Sequence, residues 1–260
     1  MARRTIRGSR GILTGASSGI GRALAVELVR AGARLVVVAR RREHLEKLAG
    51  EMAQAPGRLE IVAGDVTSGE VRSAAIERAQ AAFGGLDLLV NNAGIGAMGR
   101  FDEAAPERLR QVMEVNFFAA AEMTRLAVPL LKVGNRPMVV NVSSVLGHRG
   151  VPGCAEYCAS KFAVQGLSES LRAEFARLSI DLLVVSPART QTEFFEKAID
   201  DEGRPWPMLR GMSSEAVARR IVRAIRKGKH EIVISAGGKM LVWASRLFPG
   251  VVDRVLGRYG

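Results

Sequence analysis

The chain has 260 residues, of which 48% are hydrophobic and 25% charged, and its formal net charge is +12. This length and composition are typical of a folded globular protein with a sizeable core, and they argue against a disordered or fibrous chain. The basic side chains are scattered and are not interleaved with aromatic ones. The charge therefore predicts a solvated basic surface, and no nucleic-acid interface is expected.

The N-terminal stretch, the apolar runs and the cysteines indicate the cellular compartment of the protein. The N-terminal stretch is basic but lacks the apolar run of a signal peptide, and no run reaches the ~20 apolar residues that cross a bilayer. Cys154 and Cys158 are the only cysteines, and their spacing fits neither a zinc motif nor a disulfide framework. We expect free thiols, no bound metal and a cytoplasmic location.

Short apolar, β-branched runs alternate along the chain with longer segments of helical periodicity. The runs are apolar on both faces, as strands of a parallel sheet are when helices cover both sides. This alternation predicts a single-domain, Rossmann-like α/β fold with about seven strands in a doubly wound parallel sheet. The predicted strands lie at 11–15, 34–40, 59–65, 86–94, 137–144, 180–188 and 230–235, and the predicted helices at 19–31, 42–54, 69–82, 107–132 and 156–178.

One stretch, 188–214, is irregular because Pro, Gly and acidic residues interrupt any period. Long irregular segments inside a domain are usually functional, so we expect a lid over a ligand. Its apolar side chains would close over that ligand or pack against the domain. They belong to Phe194, Phe195, Trp206, Met208 and Met212.

The C-terminal stretch 239–260 reads as an amphipathic helical extension of a catalytic domain at 1–238. Its apolar stripe includes positions 240, 244, 247, 251 and 255, and Pro249-Gly250 should break or kink the helix. The stripe needs a cover, for which the domain core, a partner subunit and a membrane surface are the candidates. We expect core or subunit packing first and peripheral membrane contact second.

A glycine-rich turn, "TGASSGIG", follows the first predicted strand and leads into an amphipathic helix. Glycine allows a positive φ and the close approach of a phosphate to backbone N–H groups, and a helix N-terminus favours an anion. Its place after the first strand of an alternating pattern predicts a dinucleotide-binding loop. The loop residues expected at the cofactor are Gly15, Ser17, Ser18, Gly19, Ile20 and Gly21.

The second predicted strand ends in "VVVARRRE" and offers no carboxylate. Dinucleotide sites specific for NAD carry an acidic residue there for the ribose hydroxyls, whereas arginine accommodates a 2′-phosphate. Guanidinium contacts to phosphate are strong because they are charge-assisted. Arg40 and Arg41 therefore predict a preference for NADP(H) over NAD(H).

The spacing G-x-x-x-G-x-G resembles the signature of the short-chain dehydrogenase/reductase family. Further motifs of that family follow in its order and cover about the first 190 residues. The C-terminal extension resembles those of branches near the microsomal steroid and lipid carbonyl reductases. The motifs are "GDV" at 64–66, "NNAG" at 91–94, "EVNFF" at 114–118, "NVSS" at 141–144 and "YCASK" at 157–161.

The resemblance implies cofactor contacts beyond the glycine loop. Thr192 matches the threonine that touches the nicotinamide amide, although the family's usual Pro-Gly before it reads Pro187-Ala188 here. Tyr157 and Lys161 would contact the nicotinamide ribose. The remaining contacts that the resemblance implies are Asp65 and Val66 beside the adenine, and Asn91, Ala93 and Gly94 along the ribose.

Tyr157 and Lys161 are four positions apart in a predicted helix, so both side chains point at one small volume. Carbonyl reduction needs an acid near the carbonyl oxygen, and Tyr157 can supply it. Moving a phenol pKa from about 10 to about 7 takes about 4 kcal/mol. A lysine charge about 4 Å away supplies this energy only at an effective dielectric constant of about 20, where water is partly excluded. We therefore expect Lys161 to lower the pKa of Tyr157.

The resemblance also implies two further catalytic residues. Ser144 stands at the family's spacing for the serine that donates to the substrate oxygen, with Ser143 as the alternative. Asn116 would hold a water that passes protons to Lys161, or would pin a helix bend through backbone contacts, or both. His148 lies near this serine without an acidic partner, which predicts an exposed loop histidine.

Together these features predict an NADP(H)-dependent oxidoreductase that interconverts a carbonyl and an alcohol. The expected substrate is a small molecule, apolar or lipid- or steroid-like. The alternative is an NADP(H)-binding sensor without turnover, which would not need the Ser-Tyr-Lys set. We further expect a homodimer or homotetramer.

Overall fold

The computed structural model describes residues 4–194, 198–199 and 211–258. Three of the predicted lid side chains, those of Phe195, Trp206 and Met208, lie outside the described residues. The other two, Phe194 and Met212, are described and partly buried.

A parallel sheet of seven strands forms the centre of the protein, in the order β3-β2-β1-β4-β5-β6-β9. This confirms the predicted Rossmann-like fold and its strand number. Each of the seven predicted runs became one of these strands. They are β1 (Arg10–Thr14), β2 (Arg34–Ala39), β3 (Arg58–Ala63), β4 (Leu88–Asn91), β5 (Met138–Val142), β6 (Asp181–Pro187) and β9 (Glu231–Ile234).

Helices cover both faces of the sheet, which is why the central strands are apolar on both sides. One core lies between the sheet and α1, α2 and α7, and contains Leu13, Leu28 and Ile221. The other lies against α3, α5 and α6, and contains Ile12 and Phe175. These helices are α1 (Gly19–Arg30), α2 (Arg42–Glu51), α3 (Gly69–Phe83), α5 (Ala119–Lys132), α6 (Ala155–Ala176) and α7 (Ser214–Arg226).

The predicted helical segment 107–132 is interrupted. It begins as α4 (Pro106–Met113), passes through a π-helical turn at Glu114–Phe118 and continues as α5. A π turn inserts one residue into the helix and often marks a functional site. Asn116 stands in this turn, in agreement with the expected helix bend.

The irregular segment 188–214 and the C-terminal stretch both contain regular structure among their described residues. The segment 188–214 contains two short paired strands, β7 (Thr190–Gln191) and β8 (Met212–Ser213). The C-terminal stretch forms α8 (Ala236–Leu247) and α9 (Pro249–Leu256), so the helix is broken at Pro249 as predicted. No helix among the described residues is long and apolar enough to span a bilayer.

The C-terminal helices pack only lightly on the domain. Gly238 of α8 lies against the turn after β5, where an added Cβ would be 2.8 Å from Val145 Cγ1. Val242 is buried. Much of the apolar surface of these helices is not covered by the described chain, because large side chains are exposed at Met240, Trp243, Leu247, Phe248, Val251 and Val255. Packing against the domain core, one of the two covers that we ranked first, is therefore wrong for these side chains.

Candidate active site

The strand order reverses between β1 and β4, and this switch point positions the site. Connections leave β1 toward one side of the sheet and β4 toward the other, which opens a crevice at the carboxyl ends of the strands. The glycine loop follows β1 and the "NNAG" motif follows β4. Both predicted cofactor motifs therefore lie at the same crevice.

The glycine loop needs its glycines for conformation and for space. Gly15 and Gly19 have φ of 71° and 53°, in the left-handed region that favours glycine. A Cβ at Gly21 would lie 2.2 Å from the Gly15 carbonyl oxygen, so only glycine lets α1 start this close to the loop. Ser18 stands at the N-cap position of α1 without a capping bond from its side chain, and Ile20 lies in the first turn, so the N-terminus of the helix faces the crevice.

The "NNAG" motif is tied to the glycine loop through Asn92 and Thr14, which the sequence reasoning did not single out. Asn92 Nδ2 donates to the Thr14 and Gly15 carbonyls at 3.0 and 3.3 Å. Thr14 Oγ1 accepts from the backbone N–H of Asn92 and Ala93 at 3.0 and 3.1 Å. These bonds hold the two motifs in one register.

Asn91 has a different environment from the one that its expected ribose contact suggests. Its Nδ2 donates to Thr124 Oγ1 and to Asn141 Oδ1, both at 2.9 Å. Asn141 in turn donates to Ser168 Oγ at 2.9 Å. The Asn91 side chain therefore belongs to a buried polar network with Thr124, Asn141 and Ser168.

The two arginines after β2 reach different partners. Arg41 Nη2 donates to Ser17 Oγ of the glycine loop at 3.2 Å, and Arg41 Nη1 lies 3.5 Å from Glu193. Arg40 is 71% exposed and lies 4.0 Å from Asp65. Arg41 is thus held at the glycine loop, and Arg40 is exposed beside Asp65.

The expected adenine residues follow β3. Asp65 Oδ1 accepts from the backbone N–H and the hydroxyl of Thr67, both at 2.9 Å, which fixes the turn. Val66 is buried. The Val66 carbonyl accepts from Arg72 at 2.8 Å. The turn therefore presents an ordered edge next to Arg40.

Thr192 lies beside the glycine loop even though Ala188 replaces the family's usual glycine. A Cβ at Gly19 would be 3.0 Å from Thr192 Cγ2. The Thr192 hydroxyl accepts a hydrogen bond from the backbone N–H of Phe194 at 3.3 Å. The departure at Ala188 has therefore not carried Thr192 away from the crevice.

The two serines after β5 have different partners. Ser143 Oγ donates to the Lys161 carbonyl at 3.2 Å and so ties β5 to α6. Ser144 Oγ accepts the Leu146 N–H at 3.1 Å. Burial raises the pKa of Tyr157, and a hydrogen bond with Ser144 opposes that rise only in part. Of the two, Ser144 is the serine at the tyrosine hydroxyl.

Tyr157 and Lys161 are both almost fully buried on α6. Lys161 Nζ donates to the Val142 carbonyl at 3.1 Å and lies 5.7 Å from the centroid of the Tyr157 ring. Burial raises the pKa of Tyr157, because it disfavours the phenolate. The same effect lowers the pKa of Lys161 to about 8. Burial thus opposes the lowering of the phenol pKa that we expected from Lys161.

Asn116 joins the π turn to the strand connection and to α6. Its Oδ1 accepts the Ile95 N–H at 2.8 Å, and its Nδ2 donates to the Ile95 carbonyl and to Ser160 Oγ at 3.0 and 2.9 Å. A Cβ at Gly94 would lie 3.0 Å from Asn116 Oδ1 and 3.6 Å from Lys161 Nζ. Gly94 therefore keeps the space between these two side chains open.

An apolar cluster surrounds the tyrosine. The ring of Phe194 packs edge-on against Tyr157. Cys154 and Cys158 are free and buried in this cluster, and burial raises the pKa of Cys154 to about 12, so it stays a protonated thiol. The other buried members are Met98, Val145 and Leu146.

The prediction of an exposed histidine at 148 is wrong. The His148 side chain is 4% exposed, and its Nε2 lies 2.9 Å from Ser186 Oγ and 3.6 Å from Glu231. Burial lowers its pKa. Nothing in the local sequence indicates these partners, because Ser186 and Glu231 are brought to it from β6 and β9.

Comparison with known proteins identifies the family. A family model described as short chain dehydrogenase matches residues 11–203. The chain belongs to the short-chain dehydrogenase/reductase family. A solved structure of a family member from Burkholderia phymatum in complex with NAD has the same fold, with a TM-score of 0.86, 24% identity and coverage of 95% of this chain and 96% of that one.

Curated relatives agree with this assignment. The Bos taurus protein "Dehydrogenase/reductase SDR family member 7B" is 34% identical over 94% of this chain and 79% of its own length. The 11-beta-hydroxysteroid dehydrogenase A of Sesamum indicum is 34% identical over 94% of this chain and 73% of its length. The 3beta-hydroxysteroid dehydrogenase of Mediterraneibacter gnavus is 36% identical over 73% and 69%.

Family membership establishes the coarse function. The protein is an oxidoreductase that transfers hydride to or from a CH–OH carbon and uses a nicotinamide dinucleotide. Its finer properties depend on this chain's own residues.

Proposed function

We propose that the protein is an NADP(H)-dependent dehydrogenase/reductase in which Tyr157 is the acid and base. The observation that carries this proposal is the convergence of Ser144, Tyr157 and Lys161 at the crevice that the glycine loop borders. A cofactor sensor without turnover would need the loop but not this set of side chains.

Tyr157 and Ser144 have separate roles at the substrate oxygen in this proposal. In reduction, the Tyr157 hydroxyl donates its proton to the carbonyl oxygen, and the Ser144 hydroxyl donates a hydrogen bond to the same oxygen. Burial keeps the phenol protonated, which suits the acid. When bound, the nicotinamide supplies the hydride in reduction and accepts it in oxidation.

Lys161 and Asn116 support the tyrosine in this proposal. As a cation, Lys161 stabilises the phenolate left by proton transfer, and its pKa of about 8 lets it exchange protons near neutral pH. The Asn116 side chain is held by Ile95 and Ser160, so we assign it the placing of the π turn beside Lys161 together with its proposed water.

The residues around the crevice fit NADP(H). Three glycines let the chain turn tightly into the start of α1, where a diphosphate would bind, and the edge after β2 carries two guanidinium groups and no carboxylate at the end of the strand. Arg41 already donates to Ser17 Oγ, so its guanidinium is aimed at the loop. These charges favour a cofactor with a 2′-phosphate.

The cluster around Tyr157 favours an apolar substrate. Its walls include Met98, Val145, Leu146 and Phe194, none of which offers a charged group. Two relatives are named as hydroxysteroid dehydrogenases, which agrees with a bulky apolar alcohol or ketone. We propose a lipid- or steroid-like substrate of this class.

The test is a screen of the purified chain against hydroxysteroids, other apolar secondary alcohols and the matching ketones. Each is assayed with NADP and NAD, or with NADPH and NADH, by nicotinamide absorbance. We expect turnover with the apolar members and a higher kcat/KM with the phosphorylated cofactor. Tight NADPH binding without turnover on any member would support the sensor.

We further propose a homodimer through the face of α4 to α6. Side chains on this face are apolar and exposed in the single chain, which a second copy would cover. A homotetramer would need a second such face. The exposed residues are Leu109, Phe118, Leu126, Val133 and Phe162.

For the face of α8 and α9 we propose peripheral contact with an anionic lipid surface. Trp243 and Leu247 are 59% and 63% exposed. Contact of these apolar side chains with water is unfavourable, and a surface that covered them would gain the free energy of their burial. Lys239 and Arg246 are exposed on the same helix, next to the apolar face. Basic side chains beside an apolar helical face are the pattern of in-plane lipid binding.

A further inference from the structure

A buried ion pair, between Arg108 of α4 and Glu156 of α6, has no part in the chemistry above. Nε and Nη2 of Arg108 both donate to Oε1 of Glu156, at 2.9 and 2.6 Å. The two side chains are only 3% and 2% exposed. Burying two charges costs desolvation energy that their attraction often fails to repay, so such a pair is poor evidence of a stabilising role alone.

The same guanidinium also holds the strand connection after β4. Nη1 of Arg108 donates to the Met98 carbonyl at 3.0 Å, and Nη2 donates to the Arg100 carbonyl at 3.2 Å. Arginine can do this because its donors form a rigid planar fork. One side chain therefore joins three pieces of chain, namely α4, the connection at 98–100 and the first turn of α6.

Two of these pieces border the reacting atoms. Glu156 immediately precedes Tyr157 in the first turn of α6. Met98 packs in the apolar cluster that contains the Tyr157 ring. The neighbouring Ala97 forms a bridge with Ile199, so the connection in turn meets the 188–214 segment. A shift of Arg108 would move both the acid and the wall facing it.

We propose that Arg108 and Glu156 are positioning residues that hold the Tyr157 hydroxyl and the 98–100 wall of the substrate cleft in one fixed relation. This inference rests on the proposed function of Tyr157 as acid. Neither side chain need touch the substrate. Their effect is on the geometry and on the electrostatic field at the phenol.

The charges of Glu156 and Arg108 have opposite effects on neighbouring titratable groups, and this difference can be tested. Burial is the main cause that raises the pKa of Cys154 and of Cys158, and Glu156 adds to it, whereas Arg108 lowers the pKa of Cys154, so the two charges oppose each other at this neighbour of the tyrosine. Within the described residues Glu156 Oε2 has no hydrogen-bond partner, so Arg108 is the main compensation for this carboxylate. The titratable groups at the phenol are Cys154, at the N-cap of α6, and Cys158 and Lys161 on α6, and the charges of Glu156 and Arg108 act on Cys154 beside it.

The experiment compares Arg108→Met and Glu156→Gln with a matched control. Arg10→Met removes a similar paired arginine at the opposite end of the sheet, where Arg10 binds Asp87 at 2.6 and 2.9 Å. We expect Arg108→Met to lower kcat by about 10- to 100-fold, the order of a 1 Å misplacement. The dissociation constant of the dinucleotide should change by less than about 2-fold, since the glycine loop is untouched.

The control should lose thermal stability and keep its kcat. Arg108→Lys retains the charge without the fork, so it should recover the yield of folded protein but less than half of the lost kcat. Dinucleotide binding reports the folded fraction in each variant. A kcat for Arg108→Met no lower than that for Arg10→Met, per dinucleotide-binding molecule, overturns the inference.

A second readout does not depend on turnover. The chain has two tyrosines, so a Tyr259→Phe background leaves Tyr157 as the one phenol whose ionisation is read by near-ultraviolet absorbance. With saturating oxidised dinucleotide, Glu156→Gln should lower the pKa of Tyr157 by about 0.5 to 1 unit. The variant removes the negative charge, while Arg108 stays protonated, so the remaining positive charge favours the phenolate. A pKa unchanged by both Glu156→Gln and Arg108→Met also overturns the inference. Absence of turnover in the wild type, with these shifts present, would instead count against the proposed function.

Discussion

The ring of Phe194 packs edge-to-face on the ring of Tyr157, with 5.6 Å between the centroids and 62° between the planes. A Cβ at Gly96 would lie 3.1 Å from the same phenylalanine ring, so Phe194 sits between the proposed acid and the connection after β4. A substrate that reaches Tyr157 must pack against Phe194 or displace it.

The first prediction concerns this contact. Phe194→Ala should raise KM for bulky apolar substrates by about 10-fold, because an apolar ring of this size contributes up to about 3 kcal/mol on burial. The change in kcat should be smaller. Phe194→Leu keeps most of the apolar surface and serves as the control. Steady-state kinetics on one active ketone of the screen would measure both, and an unchanged KM in Phe194→Ala would show that the ring does not meet the substrate.

The second prediction concerns cofactor choice. Replacing Arg40 and Arg41 with alanine should raise KM for NADPH by about 10- to 100-fold, the loss of one or two charge-assisted contacts. KM for NADH should change by less than about 3-fold, since NADH has no 2′-phosphate. Arg42→Ala, in the next position of α2, is the control. Equal losses for both cofactors would remove the assignment of these arginines.

The third prediction concerns the cost of burying Lys161. Its folded-state pKa, about 8, is below the unfolded value of 10.5, so the folded protein binds the proton less tightly than the unfolded chain. Stability is therefore lowest below pH about 8, where both states are protonated, and rises as pH increases toward about 10. Lys161→Met should remove this penalty and raise the free energy of unfolding at neutral pH by about 1 to 3 kcal/mol.

That gain should come with loss of turnover, because the phenolate loses its cation. Denaturant unfolding at several pH values measures the effect, and the stability difference between variant and wild type should shrink above pH about 8. A less stable Lys161→Met at neutral pH would mean that the bond from Nζ to the Val142 carbonyl, at 3.1 Å, outweighs the desolvation cost.

The fourth prediction concerns α8 and α9. Replacing Trp243 and Leu247 with serine should weaken sedimentation with anionic vesicles by about 10-fold or more, since each side chain contributes roughly 1.5 to 3 kcal/mol on burial. Phe101→Ser, which removes an exposed ring elsewhere, is the matched control. Neutral vesicles should bind the wild type less tightly. If the serine variants instead dissociate a dimer and keep vesicle binding, this face is a subunit interface.

The sequence was sufficient for the sheet and for the motif residues, and the reasons are local. Seven short apolar, β-branched runs that alternate with longer periodic segments indicate strands of a covered sheet, and the spacing of Gly15, Gly19 and Gly21 after the first run indicates a phosphate-binding turn. Tyr157 and Lys161 lie four positions apart on one helix, so their proximity follows from the sequence, whereas Ser144 was placed beside them only by the resemblance to the family.

Contacts between distant segments were not predictable in this way. The bond between Arg108 and Glu156 joins α4 to α6, and His148 meets Ser186 and Glu231 from two other strands. The π turn around Asn116 was expected only as a bend, since one inserted residue changes the helical period very little. The exposure of Trp243 also depends on what α8 packs against, which its amphipathic pattern does not specify.

In the proposed mechanism Tyr157 exchanges the proton with the substrate oxygen. The most direct measurement is a single turnover of Tyr157→Phe with saturating reduced cofactor and an active ketone, alongside dinucleotide binding. We predict a rate at least about 1000-fold below wild type, of the order seen when a positioned acid is removed, with the dissociation constant within about 3-fold. A rate within about 5-fold of wild type in a variant that binds the dinucleotide normally would contradict the account.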